Sequence, residues 1–574
     1  MIENLDKNIE TFLKPISDSI TGFVFGSFSF FGNQIPFIVL WLVFASLYFS
    51  FYFRFVNIFY FKRALNVAFG KYDDPSHPGE ITHFQSFTAA MSGTIGLGNI
   101  AGVAVAISIG GPGAMLWMII TAFFGMTLKF VEVSLGHKYR IIHKDGTVSG
   151  GAIRYLSDGM GQLGYVKLGK FLAIFFAICC IGGSFGGGNM FQANQAFQQI
   201  VEATGSENSP LFNKGWLGGI VFAFIVGFII IGGIKSIGKV TERLVPLMAF
   251  IYVFSCLYII ISNFGLIPET IYKIFSSAFN LDASVGGFLG SLIAGVKRAV
   301  FSNESGIGSA PIAYAPAKSN NHLNTGFMSL LSPVVDTIIV CSMTALVIIM
   351  TGVYESNSGI QGVELTSRAF ESVFTWFPTI LALAITLFAI STLITWSYYG
   401  LRCWTYLFGM SSFSKYSFKI IFLSFTVIGT SMNLESVINF SDSMIFAMSI
   451  PNIIGLYFLS SQLKSDILKL NRLRKKVDKE KKNLRITEPR FTFQMDSRTK
   501  KLTMSYSIHV DGGLDSKNNR IYRKKQVRKY LKNVTVDDVD VVLRNLRTYS
   551  DEILREQNVR YKSIGGSRDT MTHC

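Results

Sequence analysis

Long apolar stretches separated by short polar segments dominate the first 460 residues of the chain. A membrane-spanning helix needs about 20 mostly apolar residues, and eleven stretches reach or approach that length. The pattern predicts an all-α membrane protein with about eleven transmembrane helices, of which the tenth is the shortest. The predicted spans lie near residues 36–56, 87–109, 112–136, 171–200, 216–233, 245–263, 284–310, 328–350, 376–400, 419–434 and 443–461.

The same pattern divides the chain into three parts. We predict an extracytoplasmic N-terminal segment at residues 1–35, a transmembrane core at 36–461 and a basic cytoplasmic extension at 462–574. The chain is 49% hydrophobic and only 16% charged, whereas an average soluble domain has about 25% charged residues. Residues 461–574 hold 28 Lys and Arg against 14 Asp and Glu. Most of the net charge of +17 therefore belongs to the extension.

The charges of the loops predict the orientation in the membrane. With the C-terminus in the cytoplasm, the inner loops of the core carry sixteen Lys and Arg and the outer segments only five. Because cytoplasmic loops of membrane proteins carry an excess of Lys and Arg, we predict a multi-pass protein of a bacterial-type cytoplasmic (inner) membrane, with its C-terminus inside.

Two of the predicted helices are interrupted by polar, glycine-rich sequence. The second holds four glycines in residues 93–102, and the seventh turns from apolar to polar at 301–311. Close helix packing through small residues is one interpretation; the other is an unwound stretch, which membrane proteins tolerate where it lines a cavity. The breaks lie five spans apart, as in an inverted repeat of five plus five helices after one extra span. Such a pair marks a transporter binding site.

Polar side chains within other spans are candidates for the same cavity. Gln192 follows a glycine run in the fourth span, where a contact between helices is the alternative. Thr392 and Trp396 are four residues apart in the ninth span and share a helix face; an interfacial aromatic belt is the alternative for Trp396. Glu304 lies inside the seventh-span break, and charged groups at membrane depth are functional by default.

The remaining charged groups of the core predict ion pairs. Lys129 and Glu132 are spaced for a pair on one helix face. Asp336 has Lys297, Arg298 or no group at all as its partner.

The histidines and cysteines do not predict an enzyme or a metal centre. None of the seven histidines lies in the middle of a span or at ligand spacing. The six cysteines form no metal-binding pattern and are interpreted as reduced packing residues. We therefore expect no enzyme activity and no cofactor.

Five sequence blocks, taken in order, resemble the alanine/glycine:cation symporter family, also called sodium:alanine symporters, along most of residues 80–460. The blocks are residues 94–103, 110–118, 188–192, 301–311 and 396–400. The resemblance implies a leucine-transporter-like fold with a 5+5 inverted repeat and one extra N-terminal helix. It also implies cotransport of alanine or glycine with Na⁺ as the coupling ion, or less commonly H⁺. The chain departs from the family pattern at Leu97, where Thr is usual, and at Leu116 and Ile119, where Phe and Trp are usual.

The resemblance further implies a set of site residues. The expected substrate-binding residues are Thr94, Gly96, Gly98, Asn99, Gln192, Thr392 and Trp396. The expected cation-binding residues are Gly96, Ser391, Thr392 and Thr395. The expected coupling or gating residues are Asn303 and Glu304.

Three alternatives stay open at this point: an H⁺-coupled carrier, a carrier of another small amino acid, and a transporter-like sensor that signals through its tail. The tail begins with a basic, amphipathic run at residues 463–485 that suits anionic lipid headgroups. Strand-like sequence at 502–510 and helix-like sequence at 537–555 follow. Nucleic acid is not expected as a partner, because no motif supports it.

Overall fold

Helices make up most of the transmembrane core in the computed structural model, which describes residues 14–15, 18–30, 33–74, 76–280, 287–356, 360, 362–483, 490–495, 502–514 and 520–530. The first half of the chain contains α1 (Phe37–Tyr52), α2 (Val56–Phe59), α3 (Phe61–Ala68), α4 (His83–Thr94), α5 (Ala101–Gly110), α6 (Ala114–Lys138), α7 (Ala152–Arg154), α8 (Met160–Gln162), α9 (Val166–Phe185), α10 (Phe191–Ala203), α11 (Gly215–Ile230), α12 (Gly233–Ser262) and α13 (Ile267–Phe279).

The second half of the chain likewise contains both long and short helices. It contains α14 (Gly287–Asn303), α15 (Ala310–Tyr314), α16 (His322–Ser329), α17 (Leu331–Pro333), α18 (Ser342–Thr351), α19 (Val353–Ser356), α20 (Val363–Glu371), α21 (Phe377–Phe408), α22 (Ser412–Ser431) and α23 (Leu434–Asn483). Wider π-helical turns occur at Tyr155–Gly159, Gly186–Met190 and Val334–Cys341.

Helical segments lie within each of the eleven predicted stretches, and the second and seventh are interrupted. Six helical segments in the described part of the chain are long and apolar enough to cross a membrane, or seven when the two arms of a 56° bend at residues 83–110 count as one span. The six are Ala114–Lys138, Val166–Ala203, Gly233–Ser262, His322–Thr351, Phe377–Phe408 and Leu434–Arg472. The apolar helices α1 and α11 have 16 residues each, short of the usual span. The figure of eleven spans remains a prediction.

The helix α21 positions the functional side chains because it packs against α4, α9, α10 and α12. Gly400 allows α21 to approach its neighbours closely. A Cβ on Gly400 would lie 2.6 Å from Cζ of Phe418 and would overlap the side chain of Ser184 on α9. Small residues at such points let membrane helices approach until their backbones pack directly.

One arginine fixes the loop that leads into α4. Arg140 follows α6 directly, and its guanidinium donates to the carbonyls of Pro78 at 2.8 Å, Ala315 at 2.7 Å, Ala317 at 2.5 Å and Ser319 at 2.7 Å. Burial lowers the pKa of Arg140 to about 10. The group is therefore charged at neutral pH, and its planar fork of donors serves several carbonyls at once.

Three small antiparallel sheets complete the described structure. Strands β1 (Ser27–Phe30) and β2 (Asn33–Pro36) pair with Phe30 opposite Asn33, and β3 (Ile141–Ile142) pairs with β4 (Val148–Ser149). Strand β6 (Leu502–Leu514) lies between β5 (Arg490–Met495) and β7 (Arg520–Tyr530).

The chain divides into two compact units, Met1–Lys464 and Ser465–Cys574. β6 covers the strand-like sequence at 502–510, and the helix-like sequence at 537–555 lies outside the described residues.

Candidate functional site

The first break begins where α4 stops at Thr94. Gly96 adopts an extended backbone with φ −135° and ψ −154°, a short 3₁₀ turn covers Leu97–Asn99, and α5 begins at Ala101. Two side-chain amides satisfy the freed donors: the Gly96 N–H donates to Oδ1 of Asn99 at 3.0 Å, and the Leu97 N–H donates to Oε1 of Gln192 at 2.9 Å. Buried backbone groups need such partners, so the break is a built feature of the fold.

Glycine is required at the centre of this break. A Cβ on Gly96 would lie 2.5 Å from Oγ1 of Thr392 and 2.9 Å from Oε1 of Gln192. Both distances are too short for a carbon atom, so any larger residue would displace the two polar side chains. The backbone of Gly96 is thereby held against α10 and α21.

Side chains of α21 cap the C-terminal end of α4. The last carbonyls of a helix lack partners within it. Here Oγ1 of Thr392 donates to the Ser92 carbonyl at 3.0 Å, and the indole N–H of Trp396 donates to the Gly93 carbonyl at 3.2 Å. Oγ1 of Thr395 donates to the Ser92 hydroxyl, also at 3.0 Å. The four-residue spacing of Thr392 and Trp396 matches two successive carbonyls of α4.

The second break follows Asn303 at the end of α14. Glu304 has φ +55°, and Gly306 and Gly308 have φ +88° and +86°. A left-handed conformation is uncommon outside glycine and concentrates at functional sites. The Lys129 ammonium donates to the Asn303 carbonyl at 2.7 Å. A charged side chain thus caps this helix end, where cations are favoured.

A small cavity of about 10 Å³, room for about one water molecule, lies between the two breaks. Trp396, Gln192, Thr94 and Glu304 are each no more than 3% exposed, so the cavity is buried among the helices. It is lined by Gly93, Thr94, Gly98, Gly187, Gln192, Phe301, Glu304, Trp396 and Ile445.

The structure brings part of the expected site to the cavity wall. Four of the seven expected substrate-binding residues line it, namely Thr94, Gly98, Gln192 and Trp396. Gly96, Asn99 and Thr392 do not line the cavity. Asn99 accepts from the Gly96 N–H, and Thr392 donates to the Ser92 carbonyl.

The expected cation-binding hydroxyls divide into two kinds. Thr392 and Thr395 both face Ser92. The Ser391 hydroxyl instead donates to the Phe388 carbonyl of its own helix at 2.9 Å, while the Ser391 carbonyl accepts from the Ser92 hydroxyl at 2.6 Å. Ser92, absent from the expected set, is therefore the residue at which these groups meet.

The two expected coupling residues point in different directions. Glu304 lines the cavity, and its Oε2 accepts a hydrogen bond from the Ser309 hydroxyl. The amide of Asn303 donates to Oγ1 of Thr337 at 3.1 Å, away from the cavity. Only Glu304 of this pair therefore reaches the space between the breaks.

Of the three alternatives for Asp336, the structure excludes ion pairs with Lys297 and Arg298. Its carboxylate accepts hydrogen bonds from the amide of Asn99 and from the Ser302 hydroxyl, the latter at 2.8 Å. Arg298 instead forms an ion pair with Asp442, and Lys297 lies 3.8 Å from the same carboxylate. Asp442 was not considered, because it lies one residue before the predicted eleventh span at 443–461.

The side chains of Lys129 and Glu132 form hydrogen bonds with other groups and not with each other. The Lys129 ammonium binds the Asn303 carbonyl, and Oε1 of Glu132 accepts from the Asn452 amide at 2.6 Å. The Asn452 amide also donates to the Gly306 carbonyl at 2.9 Å. Both charges on α6 thus serve the second break.

Four lining residues were not among the expected site residues: Gly187, Gly93, Phe301 and Ile445. A signal exists for the first, because Gly187 lies in a glycine run, which forms the π-helical turn Gly186–Met190, and such turns often mark functional sites. Phe301 and Ile445 lie in apolar runs and resemble lipid-facing positions. Among the described residues, no group of three or more His, Cys, Asp or Glu side chains is arranged to hold a metal ion.

Comparison with known proteins identifies a matching family and several similar proteins. Residues 21–484 match the model of the sodium:alanine symporter family. The chain is 38% identical over 443 residues to the sodium/alanine symporter AgcS of Methanococcus maripaludis, covering 77% of this chain and 95% of that one. It is 32% identical over 426 residues to the probable sodium/glutamine symporter GlnT of Bacillus subtilis, covering 74% and 85%. Among solved structures it is similar to MhsT in complex with L-phenylalanine, with 14% identity, a TM-score of 0.48, and 65% and 87% coverage.

Proposed function

This chain belongs to the sodium:alanine symporter family, and on that basis we propose that it imports alanine or glycine across the cytoplasmic membrane together with Na⁺. The carrier works by alternating access, with the cavity opening in turn to each side of the membrane. Its work is transport, with Na⁺ as coupling ion and no catalytic step. We place its C-terminus in the cytoplasm and its basic tail near anionic lipid headgroups.

The observation that carries this proposal is the pair of broken helices that bound one small buried cavity. A zwitterionic amino acid needs hydrogen-bond donors for its carboxylate and acceptors for its ammonium. The interrupted helices α4/α5 and α14/α15 both contribute residues to the cavity wall, Thr94 and Gly98 at the first break and Phe301 and Glu304 at the second. Broken helices of this kind hold substrate and coupling ion in secondary transporters.

The narrowness of the cavity favours a small substrate. The cavity has a volume of about 10 Å³, which holds about one water molecule, so the surrounding helices have to move apart to admit the substrate. Phe301, Ile445 and Trp396 form its apolar walls. We propose that they surround the substrate side chain and leave room for a methyl group or a hydrogen atom.

The proposed Na⁺ site of the family type lies at the end of α4. The Ser92 carbonyl belongs to the negative end of the α4 dipole, and the hydroxyls of Thr392 and Thr395 converge on Ser92. Hard cations take oxygen ligands of these kinds. If the Thr392 and Thr395 hydroxyls rotated their hydrogens away from Ser92, their two oxygens and the Ser92 carbonyl oxygen could bind one ion together.

The architecture that we propose is leucine-transporter-like, with eleven spans, a 5+5 inverted repeat and one extra N-terminal helix. The corresponding boundaries are a segment at residues 1–35, a core at 36–461 and a tail at 462–574. The five-span separation of the two breaks supports the repeat, and the glycines at Gly96, Gly306 and Gly308 support the breaks.

Two substitutions test the proposed function. We expect Thr392→Val and Trp396→Ala each to abolish Na⁺-driven alanine uptake in proteoliposomes, because both remove a cap from the end of α4. Matched controls lie on the same helix: Thr386→Val, whose hydroxyl bonds only its own helix at Ala382, and Trp376→Ala, which is 54% exposed. Wild-type uptake in both test variants would remove this pocket from the account.

The similarity to a probable sodium/glutamine symporter supports one alternative substrate. Uptake of labelled alanine, glycine and glutamine, each with a Na⁺ or a H⁺ gradient, separates the alternatives. Preference for glutamine, or uptake driven by H⁺ alone, would replace alanine or Na⁺ in the proposal.

A further inference from the structure

The buried charges around the two breaks do not balance. Within the described residues, the carboxyl groups of Glu132, Glu304 and Asp336 surround the ammonium of Lys129, and all four side chains are at most 1% exposed. Arg298 is occupied by Asp442. Since an unpaired buried charge is costly, bound cations or protons must meet the surplus of two carboxylates.

Glu304 is the member of this group that faces the cavity. One of its oxygens accepts from the Ser309 hydroxyl. Its backbone has φ +55°, an orientation that a non-glycine residue adopts only when its surroundings hold it there. The break therefore holds this carboxylate in a fixed position at the cavity wall.

Two buried tyrosine hydroxyls near Glu304 lack a hydrogen-bond partner among the described residues. They belong to Tyr314 and Tyr399, and both lie within electrostatic range of the Glu304 carboxyl. The Tyr399 hydroxyl also lies against the cavity wall, because a Cβ on Gly93 would be only 2.9 Å from it. Leaving a buried hydroxyl unpaired costs about 1–3 kcal/mol.

We propose that the Glu304 carboxylate and the hydroxyls of Tyr314 and Tyr399 form a further Na⁺ site beside the substrate cavity. This site differs from the one at Ser92, Thr392 and Thr395, and it rests on the proposed function. The three groups come from the second break, from α15 and from α21. Carboxylate and hydroxyl oxygens are ligands that suit a hard cation.

A bound Na⁺ explains the three oxygens better than a bound proton does. One Na⁺ can bind the carboxylate and both hydroxyls at once, whereas the single proton of a neutral Glu304 carboxyl donates to only one acceptor. Neither tyrosine hydroxyl is hydrogen bonded to the carboxylate in the structure. An ion at this place would also join α21 to the second break and thereby couple ion binding to the closure of the cavity.

The test compares the Na⁺ dependence of alanine uptake for wild type, Tyr314→Phe, Tyr399→Phe and Glu304→Gln in proteoliposomes. We expect each Phe variant to raise the Na⁺ concentration for half-maximal uptake by about tenfold. We expect Glu304→Gln to lower the number of Na⁺ ions per alanine by one. Tyr416→Phe, which is 59% exposed, and Glu269→Gln, whose side chain is 60% exposed, are matched controls.

The Phe variants keep the test valid if Glu304→Gln does not fold, since each removes only an unpaired hydroxyl. Wild-type Na⁺ dependence in both Phe variants would overturn the proposal. So would an unchanged number of Na⁺ ions in Glu304→Gln with loss of a pH dependence, which would identify a proton site. Absence of Na⁺-driven uptake in the wild type would instead contradict the proposed function.

Discussion

The side chain of Gln192 and the backbone of Leu97 are joined by a hydrogen bond of 2.9 Å across the first helix break. The other end of the same amide donates to the Gly187 carbonyl at 2.8 Å. One side chain thus connects the unwound part of α4/α5 to the π-helical turn before α10. This contact holds Gln192 in place at the cavity wall.

Gln192→Met should therefore disrupt uptake. The substitution keeps the length of the side chain but removes its acceptor, which leaves the Leu97 N–H unpaired at a cost of about 1–3 kcal/mol. We expect alanine uptake to fall at least about tenfold. Gln198→Met on the exposed face of the same helix is the control. Equal uptake by the two variants would mean that this hydrogen bond does not shape the site.

Ile445→Ala should widen the range of substrates. Ile445 is 2% exposed and forms an apolar wall of the cavity, so its truncation makes room beside the substrate side chain. Each methylene in such a pocket is worth about 1–3 kcal/mol of discrimination. We expect valine and serine to compete with alanine more strongly in this variant, as measured by inhibition of labelled alanine uptake.

The control for this prediction is Ile420→Ala, since Ile420 is 65% exposed on α22. Unchanged competition by valine in Ile445→Ala would exclude this wall as a determinant of substrate size.

Asp442→Asn should destabilise the protein. The side chains of Arg298 and Asp442 are 4% and 3% exposed, and removing one partner of a buried pair costs about 3–5 kcal/mol. The measurement is the unfolding temperature of purified protein in detergent. Glu269→Gln removes a partner from the partly exposed Lys273, 3.2 Å away, where about 0–1 kcal/mol is at stake. Equal decreases in unfolding temperature for both variants would show that the buried pair stabilises the protein no more than the exposed pair does.

The helix breaks could be predicted from the sequence because they require glycines, which cluster at both of them. Gly96 lies where no Cβ fits, and Gly306 and Gly308 take backbone angles that other residues rarely adopt. A long helix cannot continue through such positions, so their clustering in an apolar stretch is visible without a structure. The four-residue spacing of Thr392 and Trp396 was informative for a similar reason, since it fixes a shared helix face.

Other parts of the site depend on contacts between distant segments and left no local sign. A serine within a helix ordinarily bonds to its own backbone, so nothing in the sequence shows that Ser92 meets α21. Phe301 and Ile445 have the same character as residues that face lipid. The pairing of Arg298 with Asp442 instead of Asp336 follows from the packing of α14 against α23, which a linear sequence does not show.

The most direct test of the central claim is alanine uptake by the wild-type protein in proteoliposomes with an imposed Na⁺ gradient. We predict that labelled alanine accumulates above its external concentration only when Na⁺ is higher outside, and more so with an inside-negative potential, which adds about 2.3 kcal/mol per charge for each 100 mV. Equal accumulation when K⁺ replaces Na⁺ outside, or no accumulation of alanine or glycine, would contradict the account.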